Sequence, residues 1–304
     1  MIRSSIDLGT NTCLLLIADV EKEGGRSVIR REIGDYATVV RLGEGVDQNR
    51  TLKDTAMQRT LDCLKGYSEK VRAAGADPKD TVCVATSQAR DAKNGAEFFS
   101  RVEKETGFRF RVISGDEEAR LTFEGALLPD LTPETSAVID IGGGSTELIG
   151  TSGGQSVDIG SVRYTERFLK SDPVTDEEFW ACQDAIDSQL EVLKSWRKSC
   201  PKGTELVAVA GTATTLAAWH LGLTKFDPQA LNTLTLTRGD IHRLVEELKW
   251  RTVEERCKLP GLEPKRADVL LAGAMILWRA MELLEFPHCR ISTRGLRYGA
   301  LLEK

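Results

Sequence analysis

The sequence lacks any apolar run approaching the roughly 18–20 residues that a bilayer-spanning helix requires, so no membrane contact is expected. Its opening, Met1–Ser5, leads straight into a strand-like segment with no small-residue cleavage site, which argues against a secretory signal and for the cytoplasm. Cysteine is sparse and unpaired in pattern: seven residues, an odd number, with no CxxC. That excludes a disulfide framework and a structural zinc site, and leaves the thiols as small buried hydrophobes of a reducing compartment. Long Lys/Arg runs and aromatic-basic stripes are missing too, so nucleic acid is not an expected partner. With a formal charge of −5, the overall field does not draw in an anion. An anionic substrate must be held by local arginines, backbone amides or a metal ion. Neither GxxxxGK[ST] nor a GxGxxG that opens a helix occurs, which disfavours P-loop NTPases and Rossmann dehydrogenases.

What is present is an ordinary globular composition, 41% hydrophobic and 29% charged, able to bury a sizeable core. At 304 residues, against about 100–200 per domain, two domains are expected. Strand-like runs alternate with helical ones. Ser5–Ile6 and Cys13–Val20 read as a hairpin, and Val82–Thr86, Phe108–Ser114 and Ser136–Ile141 as short strands. Met57, Leu61, Leu64 and Val71 recur at helical spacing. Thr175 and Glu178 have capping-box spacing ahead of a stripe through Phe179, Cys182, Ile186, Leu190, Leu193 and Trp196. Leu206–Ala210 is a buried strand, Thr237 caps a helix, and Pro264 opens a long apolar helix through Leu284. The alternation predicts an α/β fold with sheets built partly from hairpins. Pro129, Asp130 and Pro133 interrupt the pattern and place the hinge near Gly125–Pro133. The expected division is an N-terminal domain of residues 1–124, completed by a C-terminal helix at 294–304, and a C-terminal domain of residues 125–293.

One pattern occurs twice. Ile6-Asp7-Leu8-Gly9-Thr10-Asn11-Thr12 matches Ile139-Asp140-Ile141-Gly142-Gly143-Gly144-Ser145-Thr146, the aspartates lying 133 positions apart, about one domain. Each copy is a buried strand, an aspartate, a turn of small residues and a second strand. Such a turn brings backbone N–H groups close to a phosphate, and adjacent Ser, Thr and Asn add neutral donors. An aspartate beside it, Asp7 or Asp140, can hold Mg²⁺ through water. One copy alone reads as a β-turn; two, each led by Asp, point to phosphate binding. A third small-residue turn, Val209–Thr215, follows a strand and precedes a helix at Leu216–Leu221, so Gly211 and Thr212 present free amides to an anion or merely turn the chain.

The order of these elements resembles the superfamily of actin, Hsp70 chaperones and sugar kinases. At finer grain the chain resembles the exopolyphosphatase / guanosine pentaphosphate phosphohydrolase family, in its short two-domain form. The resemblance rests on Ile6–Thr12, Ala85–Ala92 (ATSQARDA), Ile113–Leu121 (ISGDEEARL), Asp140–Glu147, Ala210–Thr215, Arg266–Leu270 and Gly295–Gly299, in family order and nearly end to end. It implies two actin-like, ribonuclease H-like domains with mixed sheets flanked by helices and an active site in the interdomain cleft. It makes Glu118 the carboxylate that positions or deprotonates the attacking water. Asp140 and Glu147 then bind or orient divalent metal (Mg²⁺ or Mn²⁺), with Asp7 as a further metal carboxylate and Glu147 a catalytic one. Thr10, Asn11, Gly142, Gly143, Gly144 and Ser145 would bind phosphates, and Arg90 would line the phosphate channel. Gly211, Thr212 and Arg266 are further phosphate candidates, Arg266 equally readable as half of a surface ion pair.

The implied activity is removal of the terminal phosphate of polyphosphate, with a homodimer as the implied assembly. Longer members append a helical domain rich in His-Asp pairs. None of the three histidines here, His220, His242 and His288, adjoins an aspartate. The residues leave three alternatives open: hydrolysis of guanosine pentaphosphate, phosphoryl transfer from ATP by a kinase of the same superfamily, and non-catalytic binding of nucleotide or polyphosphate.

Overall fold

Alternate residues of Thr12–Glu23 (β2) enter two different cores. Leu15 and Ile17 pack with Ile6, Leu8, Leu61 and Phe98, whereas Leu16, Ala18 and Val20 pack with Tyr298 and Leu301. A strand whose two faces are both covered belongs inside a helix-flanked sheet. The computed structural model describes residues 1–151 and 153–303. The chain divides into one unit of Met1–Gly125, joined by the chain from Leu296 on, and a second of Ala126–Gly295.

In the first unit, β1 (Ile2–Leu8) is central, antiparallel to β2 and parallel to β4 (Val82–Ala85). β3 (Arg26–Val39) and β5 (Phe110–Val112) complete the order β3-β2-β1-β4-β5. One face is covered by α2 (Asp54–Ala73), which turns Leu61, Leu64 and Val71 inward, and by α4 (Gly95–Thr106), which adds Phe98 and Val102. α4 stops at Gly107, whose φ of 84° is the left-handed cap that glycine adopts without strain. Two short helices, α1 (Val46–Asn49) and α3 (Ser87–Asp91), follow β3 and β4. The other face carries α5 (Gly115–Ala126) and α14 (Leu296–Leu302), where Leu121, Leu296 and Ala300 pack on Val84 and Ile113.

The second unit repeats the plan. β6 (Ser136–Ile141) is antiparallel to β7 (Thr146–Gly150), which is antiparallel to β8 (Gly153–Val157). β9 (Glu205–Val209) runs parallel to β6, and β11 (His288–Ile291) parallel to β9. β10 (Thr235–Thr237) adds an antiparallel edge, giving β10-β11-β9-β6-β7-β8. Its helices are α6 (Ser161–Phe168), α7 (Asp176–Leu190), α8 (Lys194–Ser199), α9 (Ala210–His220), α10 (Pro228–Asn232), α11 (Arg238–Lys249), α12 (Val253–Arg256) and α13 (Leu270–Leu283). The capping box read at Thr175 and Glu178 is formed in full, and Thr237–Asp240 and Thr252–Glu255 build two more. Two mixed sheets flanked by helices bear out the α/β class, and the shared strand order makes the repeat structural as well as sequential.

Several element boundaries depart from the sequence reading. The stripe from Phe179 to Trp196 is split between α7, a 3₁₀ turn at Glu191–Leu193 and α8. The Pro264 helix is a 3₁₀ turn over Pro264–Arg266, and α13 starts only at Leu270. α9 begins at Ala210 rather than Leu216, so Gly211 and Thr212 lie inside its first turn.

Candidate active site

The two repeated turns close alike. Gly9 N donates to Thr12 O at 2.9 Å, and Gly142 N to Ser145 O at 3.0 Å. In the first unit the chain after β3 then folds back onto the turn: Val40 N and Arg41 N donate to Asn11 O at 3.0 and 2.9 Å, and Gly43 N to Thr10 O at 2.9 Å. A Cβ on Gly43 would overlap the Thr10 methyl group, so only glycine lets this segment close. Arg41 itself has a φ of 51°, a strained value for a side-chain-bearing residue. In the second unit the chain after β8 does the same work. Ser161 N donates to Gly142 O at 2.9 Å, Val162 N and Arg163 N to Gly143 O at 2.9 and 3.0 Å, and Arg163 Nε to Gly144 O at 2.7 Å. Gly160 takes the part of Gly43, its Cα lying against the Gly143–Gly144 peptide where a Cβ would collide.

The consequence is electrostatic. The carbonyls of both turns are tied back by neighbouring N–H groups, so their negative ends are already satisfied. The amides of Thr10 and Asn11, and of Gly143, Gly144 and Ser145, meet no acceptor among the described residues. Successive uncommitted N–H groups on a tight turn form a concavity that suits an anion. The opening of α6 therefore acts through the turn, because its own first amides are spent on the turn's carbonyls. In the first unit Thr10 Oγ1 lies 3.0 Å from Ser87 Oγ and donates to Gln88 Oε1 at 3.2 Å, while Gln88 Nε2 donates to Leu8 O at 2.8 Å. The Asn11 Oδ1 atom is buried with no hydrogen-bond partner among the described residues, a group that a bound ligand or water would satisfy.

The carboxylates differ between the copies. Asp140 stands directly opposite Glu147 across β6 and β7, so both side chains lie on one face of the hairpin. Asp7, the equivalent residue, stands opposite Leu14. Glu147 is 1% exposed and accepts from Ser156 Oγ at 2.7 Å; it is a buried acid and not a solvent-facing strand residue. Among the described residues no cluster of three or more His, Cys, Asp and Glu is placed to hold a metal ion. Mg²⁺ does not need one, since it keeps several waters and binds through one or two carboxylates plus substrate phosphates. Asp140 and Glu147 beside a turn of uncommitted amides fit that mode.

Glu118 sits in the first turn of α5, where its N–H donates to Ser114 O at 2.9 Å and Ser114 Oγ accepts from Glu117 N at 3.2 Å. Its carboxylate is buried, and Oε2 accepts from Arg90 Nη1 at 2.9 Å. Burial pushes the Glu118 pKa up, and the Arg90 charge, the Arg90 hydrogen bond and a hydrogen bond from Thr86 hold it back. The third turn is occupied in its own way. Ala210 has a φ of 64° where β9 passes into α9, and the Arg266 guanidinium lies on Gly211 where any Cβ would collide. Burial lowers the Arg266 pKa, opposed by Glu263.

Comparison with known proteins decides the affiliation. Residues 20–304 match the model of the Ppx/GppA phosphatase family. The chain belongs to the Ppx/GppA phosphatase family. It is 34% identical to Exopolyphosphatase 2 of Mycobacterium tuberculosis over 90% of the chain and 88% of that protein. It is also 34% identical to a bifunctional 3-dehydroquinate synthase/phosphatase of Fusobacterium nucleatum, over 99% of the chain, and spans only about half the length of that relative, 46%. Among solved structures, an exopolyphosphatase from Cytophaga hutchinsonii is 27% identical with a TM-score of 0.87, covering 98% of this chain and 96% of that one. Within this Ppx/GppA chain, the structure brings Thr10 and Asn11 to one turn, Gly142–Ser145 with Asp140 and Glu147 to the other, Arg90 to Glu118, and Arg266 to Gly211. The sequence reading missed the residues that brace these groups: Gly43, Thr86, Gln88, Gly160 and Arg163. Gln88 and Thr86 stood in a block already singled out; Gly43 and Gly160 carried no signal beyond being glycine.

Proposed function

We propose that this chain is a metal-dependent exopolyphosphatase, which hydrolyses the terminal phosphoanhydride of inorganic polyphosphate and releases orthophosphate. The observation that carries the reading is the pair of turns whose carbonyls are tied back and whose amides are uncommitted, each beside an aspartate. Such groups suit a chain of phosphates and make no demand on a base or sugar. Relatives named exopolyphosphatase support the same substrate.

Phosphoanhydride cleavage is mainly positioning and charge neutralisation. The amides of Thr10, Asn11, Gly143, Gly144 and Ser145 would hold the phosphate oxygens, with the Thr10 hydroxyl oriented by Gln88. Gly211, Thr212 and Arg266 would add a further anion contact. Glu118 would hold the attacking water and accept its proton as the water oxygen bonds to the terminal phosphorus; the bridging P–O bond breaks and its oxygen leaves with the shortened chain. Arg90 keeps that carboxylate ionisable within a buried setting. Asp140 and Glu147 would hold a bound Mg²⁺ or Mn²⁺, and Asp7 would serve likewise within its own unit; the metal would neutralise charge on the phosphates.

The test is phosphate release from long-chain polyphosphate, guanosine pentaphosphate and ATP side by side, with and without Mg²⁺. Polyphosphate is the expected preferred substrate. Preference for guanosine pentaphosphate would replace it, transfer from ATP to an acceptor would make the chain a kinase, and binding without turnover would make it a sensor.

A further inference from the structure

The helix that carries Glu118 has a backbone-to-backbone seat. Gly299, in α14, lies so close to α5 that a Cβ on it would overlap the Leu121 carbonyl and approach the Leu121 Cα to 3.1 Å. These are main-chain atoms, so a methyl group there cannot be accommodated by rotating a side chain; α5 or α14 must move. Leu121 is one helical turn beyond Glu118, so a shift of α5 at Leu121 is a shift of the acid. α14 in turn is fixed to the strand that leads into the first turn. Ser5 Oγ, in β1, donates to Arg297 O at 2.6 Å, and Arg297 grips Asp35 of β3 through Nε and Nη2 at 2.9 and 2.7 Å. Just past α14, Glu303 accepts from Arg120 of α5 at 2.7 Å and from Arg111 of β5 at 2.8 Å, closing a second clasp. One side of α14 thus holds β1, which carries Asp7 and ends at Leu8 just before the Thr10–Asn11 turn, and the other holds α5.

We infer that α14 is the spacer that sets the Glu118 carboxylate against the phosphate turn of the first unit, and that Gly299 is a positioning residue for this acid. The inference rests on the reading of Glu118 as the water-orienting base. Adding an atom at 299 parts the two helices. Because α14 is tied to β1 and β3, the displacement falls on α5 and draws Glu118 away from Arg90, which is tied independently to Ile113 O at 2.8 Å. The acid then loses both its aim and the charge that opposes the rise in its pKa.

The test uses the full chain with long-chain polyphosphate and Mg²⁺, comparing Gly299→Ala, Ser5→Ala and Glu118→Gln with the parent. Gly299→Ala is expected to lower kcat about tenfold or more while KM stays within about threefold, since displacement near 1 Å at a reacting group has effects of this order. The acid limb of its kcat/KM profile is expected to move to higher pH. Ser5→Ala adds no atom and only loosens α14 on β1, so it keeps the test open if Gly299→Ala does not fold; a smaller loss of kcat with the same direction of limb shift is expected. A merely structural role would lower Tm and leave the limb in place. Parent-like kcat and acid limb in a folded variant, with Glu118→Gln inactive alongside, would overturn the inference about α14. Full turnover by Glu118→Gln would overturn the base assignment itself, and the positioning role with it.

Discussion

Arg90 Nη1 lies 2.9 Å from Glu118 Oε2 and from the same nitrogen reaches the Ile113 carbonyl at 2.8 Å. The guanidinium thus joins α3 to the start of α5 and keeps a buried carboxylate in company with a positive charge. A lone buried carboxylate would protonate and lose its use as a base. Glu118→Gln keeps the shape and removes the base. Phosphate release is expected to fall by about 10²–10⁴-fold, with the circular-dichroism spectrum and substrate binding retained. Turnover at the parental rate would remove Glu118 from the chemistry.

The pH dependence follows from the direction of the Glu118 shift. Burial raises its pKa above the ordinary glutamate range, and only the ionised form can accept a proton from water. Activity is therefore lost as pH falls through the raised value, and the acid limb of kcat/KM lies above that of an ordinary glutamate. Arg90→Gln removes the charge that opposes the shift, so the limb is expected to move to still higher pH. A pH–rate series on both proteins checks this; a limb that stays in place or moves down contradicts the assignment.

The proposed need for metal is tested most directly at Asp140, which shares one face of the β6–β7 hairpin with Glu147. Asp140→Asn removes one of the two facing carboxyl groups. The Mg²⁺ concentration for half-maximal activity is expected to rise at least about tenfold, and excess chelator is expected to stop the parent. Leu14, which faces Asp7 in the equivalent position, offers a control, because Leu14→Met adds no charge and is expected to leave the Mg²⁺ dependence unchanged.

The sequence made the repeat legible because it needs few residues: a buried strand, an aspartate and a run of small residues, twice. The core helices were legible for the same reason of periodicity, as in Met57–Val71. Four strands were not: β10 and β11 are only three and four residues long, and the other two lie at sheet edges. β3 is an edge strand of fourteen residues with most side chains intermediate or exposed, so only a faint alternation marks it, and β8 is a short edge strand with two glycines. α9 was placed too late because Gly211, Thr212 and Thr214 have poor helix propensity; here Gly211 packs against Arg266, Thr212 against Gly273 of α13, and Thr214 Oγ1 donates to Ala210 O at 2.9 Å. The braces escaped for a different reason. Gly43 is 33 residues from Thr10 and Gly160 is 17 from Gly143, and only strand pairing brings them together.

Those braces give the last prediction. Gly160 has no positive φ, so an alanine there is not excluded by its backbone; it is excluded by the Gly143–Gly144 peptide that its Cβ would strike. Gly160→Ala must push that peptide aside, tilting the amides of Gly143, Gly144 and Ser145 away from a bound phosphate. Overpacking of this kind costs about 1–3 kcal/mol. If most of it falls on substrate binding, KM is expected to rise about tenfold, since about 1.4 kcal/mol is a factor of ten. Gly66→Ala is the matched control. It lies within α2 with nothing near its would-be Cβ, and is expected to leave KM unchanged while adding about 0.5–1 kcal/mol of stability. Steady-state kinetics and thermal melts of the two variants separate the effects. A parental KM in folded Gly160→Ala would mean that the amides of this turn do not hold the substrate.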